Sequence, residues 1–356
     1  MTDVELLSRV MRLLDRDASK VLGLKRKGRL LLGLPADRQA AERVLRLYQP
    51  QRRIARGMVA GLRWLIGFGI LDRVLPEIQM VGEPEIVSPA LAGIEAGMCG
   101  VMLGSPEHRV RRAIASYRNG NEWEVAKIAF GEAGASLLEQ EAKALEELQP
   151  SVAGVPRLLG LHRGQDVTVL RMPYLTGTPV NPGDSNDALD LLNSWISNQP
   201  AKPITDFSEW SAMESALAGT ELGSGVLERL AKESLKPVIC HGDFARWNLL
   251  RRKNGSLVVL DWEWGHKDGL PGIDLVHYFL QDARLVKRLS SGNAIKATLA
   301  ALDSVACRTY LQKTGWSSDP ILPILTCLAY KQGAGHQENR EVLSAAVESA
   351  SKAGPL

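Results

Sequence analysis

Oxygen-bearing side chains at close spacing mark one stretch of this chain, His241-Gly242-Asp243-Phe244-Ala245-Arg246-Trp247-Asn248, with Asp261 following the apolar run 257–260. Amide and carboxylate oxygens are ligands for a hard cation, and Mg²⁺ takes one or two from protein and the rest from phosphates and water. A hairpin must position them. Leu249-Leu250 and residues 257–260 flank Asn254-Gly255, a dipeptide that favours a two-residue type I′ turn because both central residues need positive φ. With that loop, Lys253 faces Ser256, Leu249 faces Leu260, and Asn248 faces Asp261. Opposed Cβ atoms lie roughly 4.5–5.5 Å apart, so this register sets an amide oxygen beside a carboxylate. The alternative for the same pair is an Asx cap closing the hairpin.

Other elements carry complementary groups. Residues 93–130 read as three strands: one ending near Gly104-Ser105-Pro106, one over 110–117, and one over 122–130 after Asn119-Gly120. In the third, alternation puts Val125, Lys127 and Ala129 on one face. Leu138, Ala142, Leu145 and Leu148 recur at helical spacing and predict a helix over 136–148 that carries Glu141. A strand over 166–175 follows. Residues 180–235 read as helical and loop-rich, and the chain is helical from about Asp274 onward. Phosphoryl transfer needs this set: a turn over the phosphates, a lysine against their charge, a carboxylate to fix that lysine, oxygen ligands for Mg²⁺, and a further carboxylate to orient the attacking hydroxyl.

The run HGDFARWN resembles the HGDxxxxN catalytic loop of the aminoglycoside phosphotransferase and choline kinase family, which shares the protein-kinase-like fold. LDWEWG resembles that family's metal-binding Asp segment, and PGIDLVHYF its P-x-x-D continuation. The resemblance is strongest over 236–280, weaker over 95–180 and absent over 1–80. It implies an α+β, bilobal protein-kinase-like fold with a small antiparallel-sheet N-lobe (91–175) and a mostly helical C-lobe (176–356). Residues 1–90 are expected to form a helical N-terminal extension, with the boundary in the Pro-rich segment 82–90.

Residue by residue, the resemblance implies that Asp243 is the catalytic carboxylate and that Asn248 and Asp261 hold Mg²⁺. Lys127 would contact the α- and β-phosphates of ATP, with Glu141 as its ion-pair partner and Glu139 as the alternative on that helix. Gly104 and Ser105 stand in the candidate phosphate-covering turn. The segment from Met172 through Tyr174 to Leu175 would offer backbone hydrogen bonds to adenine. Asp274 is implied as a group that holds the catalytic loop, and His241 as a packed hydrogen-bonding residue. Arg246 is left between the γ-phosphate, the substrate and solvent. The Asp261 segment reads Asp-Trp-Glu, not Asp-Phe-Gly, and no Ala-Pro-Glu segment follows, which argues against a protein kinase. The implied reaction moves the ATP γ-phosphoryl group to a hydroxyl of a small metabolite such as a sugar or amino alcohol. Two alternatives stay open. One is a nucleotide-binding pseudokinase or scaffold with a basic N-terminal docking region. The other is an aminoglycoside-modifying phosphotransferase whose cationic acceptor meets Asp184, Asp187, Asp190 or Glu214.

Composition narrows the class. The chain has 356 residues with a net charge of +3. Residues 1–80 hold 16 basic and 8 acidic side chains, against 27 and 32 in the remainder. Four cysteines lie far apart without a CxxC pair, which argues against a zinc site or disulfide framework and fits a reducing, cytoplasmic compartment. No GxxxxGK[ST], HExxH or GxSxG is present, so a P-loop enzyme, a zincin and a hydrolase elbow are set aside. A nucleic-acid partner is not expected. The start of the chain lacks a signal-peptide pattern, and the apolar run 58–71, broken by Arg63, is too short to span a bilayer. The same region, with Arg52, Arg53, Arg56 and Arg63 beside Trp64, is a candidate for peripheral membrane contact; the alternative is a helix packed on the body.

Overall fold

The structure is a computed structural model that describes residues 1–14, 20–50, 53–81, 96–104, 110, 112–181, 184–218, 223–335 and 340–352. The chain separates into two compact units, Met1–Glu147 with Pro156–Thr176, and Leu148–Val155 with Gly177–Leu356.

The first unit contains α1 (Asp3–Leu14), β1 (Val21–Arg26), β2 (Arg29–Pro35), α2 (Arg38–Leu47), α3 (Arg53–Phe68), β3 (Glu77–Ile78), β4 (Ala96–Leu103), β5 (Arg112–Asn119), β6 (Glu122–Phe130), α4 (Glu132–Leu148), β7 (Gly160–Arg163) and β8 (Val167–Pro173). The strands form one eight-stranded sheet in the order β3-β1-β2-β4-β5-β6-β8-β7, antiparallel throughout. β4, β5, β6, α4 and β8 fall where the sequence places them. The helical extension over 1–90 does not. β1, β2 and β3 continue the sheet beyond β4, and residues 1–147 cluster as one unit with 156–176. The boundary expected at 82–90 lies outside the described residues.

The physical reason for that difference is burial on two faces. Leu22, Leu24, Leu32 and Leu34 pack with Val44, Leu45, Leu62 and Ile66 of α2 and α3. Val21, of opposite parity on β1, and Leu30, brought to that face by the register shift between Leu24 and Lys25, pack with Leu7, Val10 and Met11 of α1. A strand covered on both sides reads as a continuous apolar run, so the alternation that would announce it is missing.

The second unit contains β9 (Thr178–Pro179), α5 (Ser185–Ser194), β10 (Lys202–Pro203), α6 (Trp210–Leu217), α7 (Gly223–Leu230), β11 (Ser234–Leu235), β12 (Val238–Cys240), β13 (Leu249–Arg251), β14 (Leu257–Val259), β15 (His266–Gly269), α8 (Ile273–Gln281), α9 (Ser291–Leu302), α10 (Val305–Thr314), α11 (Ile321–Gly333) and α12 (Arg340–Lys352). Its strands form three small sheets, β12-β15, β14-β13-β9 and β10-β11. α11 is apolar almost all round and buried over most of its length, as expected of a central helix; it packs against α6, α8 and α12. The four cysteines are free and buried. Among the described residues, no helix is long and apolar enough to cross a membrane.

Candidate active site

In the first unit, Lys127 sits mid-strand on β6, paired with Ile114 of β5 and Leu170 of β8. Its Nζ donates to both carboxylate oxygens of Glu141 on α4, at 2.6 and 2.7 Å. The two side chains are only 9% and 1% exposed, so the pair is a desolvated, charge-assisted contact. Glu139, the alternative partner, pairs with Arg163 instead. Gly104 follows β4 and its N–H donates to Arg112 O at 3.0 Å; Ser105 lies outside the described residues. The adenine-facing expectation shifts by one residue. Tyr174 N–H donates to Trp123 O of β6 at 2.8 Å, and Met172 pairs with Val125 at the same parity. Backbone groups alternate in direction along an antiparallel ladder. The backbones of Met172 and Tyr174 therefore face β6, while Pro173 C=O and Leu175 N–H turn away from it.

In the second unit, the loop from His241 to Asn248 runs from β12 into a 3₁₀ turn over Arg246–Asn248 and then β13. Gly242 starts it at φ +78, where a Cβ would lie 2.6 Å from Trp264 Cβ; both the backbone angle and the space require glycine. Asp274, in the first turn of α8, accepts from His241 N–H at 2.6 Å and Gly242 N–H at 2.9 Å. That is the loop-holding role the resemblance implies. His241 is fully buried, between Trp262 and Phe244 at ring distances of 4.8 and 6.3 Å. Its Nδ1 accepts from Asp243 N–H at 3.2 Å, which leaves Nε2 to donate to Leu260 O at 2.9 Å. Burial lowers its pKa from the ordinary imidazole value.

Asp243 is held on both oxygens. His277 Nε2 donates to Oδ1 at 2.8 Å, and Asn248 Nδ2 donates to Oδ2 at 3.0 Å. Burial acts to raise its pKa, but the His277 hydrogen bond and the positive charge of Lys331 outweigh it and leave the carboxyl well below the usual range. His277 moves down as well, through burial first and the Lys331 charge second, against the pull of the Asp243 contact. The Asp243 side chain keeps 35% of its surface exposed, enough for a ligand to reach it. Lys331, on α11, is 4% exposed and donates through Nζ to Gly242 O.

The hairpin register differs from the expected one. Arg251 pairs with Leu257 and Leu249 with Val259. Arg252 N–H donates to Ser256 O at 2.9 Å and Gly255 N–H to Arg252 O at 3.0 Å, with Gly255 at φ +84. The loop thus has three residues and an αL glycine. Asn254 Oδ1 selects it by accepting from Ser256 N–H at 3.2 Å and Ser256 Oγ at 2.8 Å. A one-residue shift follows: Asn248 O accepts from Leu260 N–H at 2.7 Å, so the residue opposite Asn248 is Leu260, not Asp261.

Leu260 is consequently pinned at both ends to the 241–248 loop, by Asn248 and by His241. Asp261 leaves that pinned residue at φ +70, a left-handed conformation that aspartate tolerates better than most residues. Asn248 Nδ2 is engaged by Asp243, which leaves Oδ1 as its free acceptor. An amide oxygen and a carboxylate on adjoining backbone suit Mg²⁺, which takes few protein ligands. Among the described residues, no three His, Cys, Asp or Glu side chains cluster to hold a metal by themselves.

Several polar groups have other duties. Arg246 pairs with Asp282 at 3.0 Å. Asp184 and Asp187 both meet Arg251, at 3.2 and 2.5 Å. His277 and Lys331 were not picked out from the sequence, although each leaves a signal. His277 stands three residues after Asp274 on a mostly apolar helix, hence on the same face. Lys331 is the one charge in the apolar run of α11.

Residues 117–303, more than half of the 356-residue chain, match the model of the phosphotransferase enzyme family. The chain belongs to that family. Its phosphotransferase class follows, and its mixed α+β architecture is the one described above. Similar solved structures include a thermostable mutant of aminoglycoside phosphotransferase APH(4)-Ia in ternary complex with ADP and hygromycin B, at 12% identity over 72% of this chain and 94% of that one, TM-score 0.45. The aminoglycoside phosphotransferase APH(3'')-Id from Streptomyces rimosus is 17% identical over 62% of this chain and 88% of that one, TM-score 0.42. Choline kinase LicA from Streptococcus pneumoniae is 15% identical over 66% of this chain and 89% of that one, TM-score 0.40. No curated protein matches the chain.

Proposed function

We propose that this phosphotransferase moves the γ-phosphoryl group of ATP to a hydroxyl of a small metabolite, of the sugar or amino-alcohol kind. The observation that carries the reading is Asp243, anchored on both oxygens and still reachable. A substrate hydroxyl donates its hydrogen to that carboxylate, which aims the oxygen at the γ-phosphorus. The new P–O bond forms as the bond to the ADP oxygen breaks. A carboxylate held well below its usual pKa is a weak base, so Asp243 orients the hydroxyl and accepts its proton late. This suits a transition state that asks the protein for positioning and charge more than for covalent chemistry. Lys127, fixed by Glu141, opposes phosphate charge, and Pro173 C=O and Leu175 N–H serve the adenine. Asn248 and Asp261 are the residues that would hold Mg²⁺, whose contribution is to neutralise charge on the phosphate oxygens.

The engagement of Asp184 and Asp187 with Arg251 favours a neutral or singly charged acceptor over a polycationic aminoglycoside. A pseudokinase reading is disfavoured because each chemical group is present. Asp243→Asn removes the charge and keeps one acceptor oxygen, enough for the hydrogen bond from Asn248 or from His277 but not for both. Turnover against a panel of sugars, amino alcohols and aminoglycosides should fall by on the order of 10²–10⁴-fold, with ADP affinity unchanged. Full turnover in that variant refutes the role. ATP consumption unaffected by any acceptor in the panel speaks for the scaffold reading.

A further inference from the structure

The proposed reaction leaves the outer side of α3 unexplained. Val59, Leu62 and Ile66 form its inner stripe and join the core with β1, β2 and α2. On an ordinary surface helix the opposite side is polar. Here Ile54 is 90% exposed, Trp64 61% and Phe68 60%, with Met58 at 38%. These positions share one arc of a helix with 3.6 residues per turn. The Trp64 and Phe68 rings pack on each other, with centroids 4.3 Å apart. Arg56 and Arg63 stand exposed along one edge of the arc. Between Glu42 and Asp72 the chain carries six arginines and no acidic residue. Glu42 itself is shared by Arg46, at 2.9 Å, and Arg63, at 3.6 Å.

We propose that α3 is an interfacial helix that seats on an anionic lipid surface. Trp64, Phe68, Met58 and Ile54 enter the boundary between headgroups and acyl chains, and Arg56 and Arg63 meet the headgroup phosphates. Aromatic rings with a basic edge and no carboxylate of their own are the chemistry such a surface selects. Charge complementarity also decides against a second copy of the chain. Two α3 faces set against each other would bring their arginine edges together with no acidic residue on either helix to meet them.

The test is sedimentation of the full chain with vesicles of pure phosphatidylcholine and with vesicles containing 30% phosphatidylglycerol, a composition chosen at roughly physiological anionic content. The expected result is binding to the anionic vesicles at least about tenfold tighter than to the neutral ones, weakened by salt. Trp64→Ser/Phe68→Ser should abolish it, and Arg56→Glu should weaken it on anionic vesicles only. All three side chains are exposed, so circular dichroism and the melting temperature of the variants should match the parent; Ile54→Ser offers a second, equally exposed probe should the double variant misfold. Equal binding to both vesicle types, binding retained by the apolar variants, or no binding at all overturns the proposal. Light scattering that shows dimers lost in Trp64→Ser/Phe68→Ser overturns it in favour of a second copy.

Discussion

The pair of Lys127 and Glu141 allows a decisive test, because it can be removed in two ways that physics treats very differently. Lys127→Met leaves the Glu141 carboxylate, 1% exposed, against a thioether. Glu141→Leu leaves a nearly buried ammonium against an alkyl chain. Breaking a buried pair from one side typically costs about 3–5 kcal/mol, because the stranded charge has lost both water and partner. Lys127→Met/Glu141→Leu removes both charges of the pair together. Replacing a buried pair by apolar groups of similar size is often neutral or stabilising by about 1–4 kcal/mol. Urea unfolding followed by circular dichroism should therefore show two unstable single variants and a double variant restored to parental stability or better. Binding of a fluorescent ATP analogue should be lost in all three. Stability and nucleotide affinity thus separate in the double variant. Single variants that lose less than about 1 kcal/mol would mean that the pair is not desolvated as the geometry indicates. A stable double variant that binds nucleotide like the parent would make the pair a structural staple and refute its place in the site.

Three further outcomes are expected. Asp274→Ala removes a charged acceptor from two loop amides, at about 1.5–3 kcal/mol each; kcat should fall at least tenfold with little change in nucleotide affinity, whereas unchanged kcat would show that the loop holds its shape without it. Asn248→Ala and Asp261→Ala should each abolish the Mg²⁺-dependent gain in nucleotide affinity in a fluorescence titration, and an unaltered Mg²⁺ titration refutes that ligand pair. Glu209 accepts from His266 Nε2 at 2.9 Å. Against burial, this bond raises the pKa of His266 and lowers that of Glu209. The His266 contribution is whole below the ordinary imidazole value of about 6.5 and is lost as pH rises through the raised one. The Glu209 contribution is whole above the ordinary carboxylate value and is lost as pH falls through the lowered one. The urea midpoint of the parent should thus exceed that of Glu209→Gln most near pH 5–6, a window set by those two reference values, and the gap should shrink toward pH 8; a flat difference would contradict the assignment.

The residue types alone carried the 241–248 loop. HGDxxxxN, a strand ending in Asp and P-x-x-D are local patterns, and local order along the chain is enough to state them. The lysine strand and the glutamate helix were legible for the same reason. Alternation and helical spacing are short-range rules, and Lys127 and Glu141 meet as those rules place them. What the linear chain left open were questions of partnership. The hairpin loop took three residues because the Asn254 side chain caps Ser256, and one residue of slip replaced Asp261 by Leu260 opposite Asn248. β1 to β3 stayed hidden because helices on both faces erase the alternation that marks a strand. Tyr174 lost its free N–H to Trp123, a neighbour 51 positions earlier in the chain. His277 and Lys331 acquired their meaning only once α8 and α11 were packed beside the loop. Chemistry is written in residue types and near spacing, which the chain states directly; a proton's partner, a register and the electrostatic field on a carboxylate depend on which distant segments exclude water from it, and only the packed fold decides that.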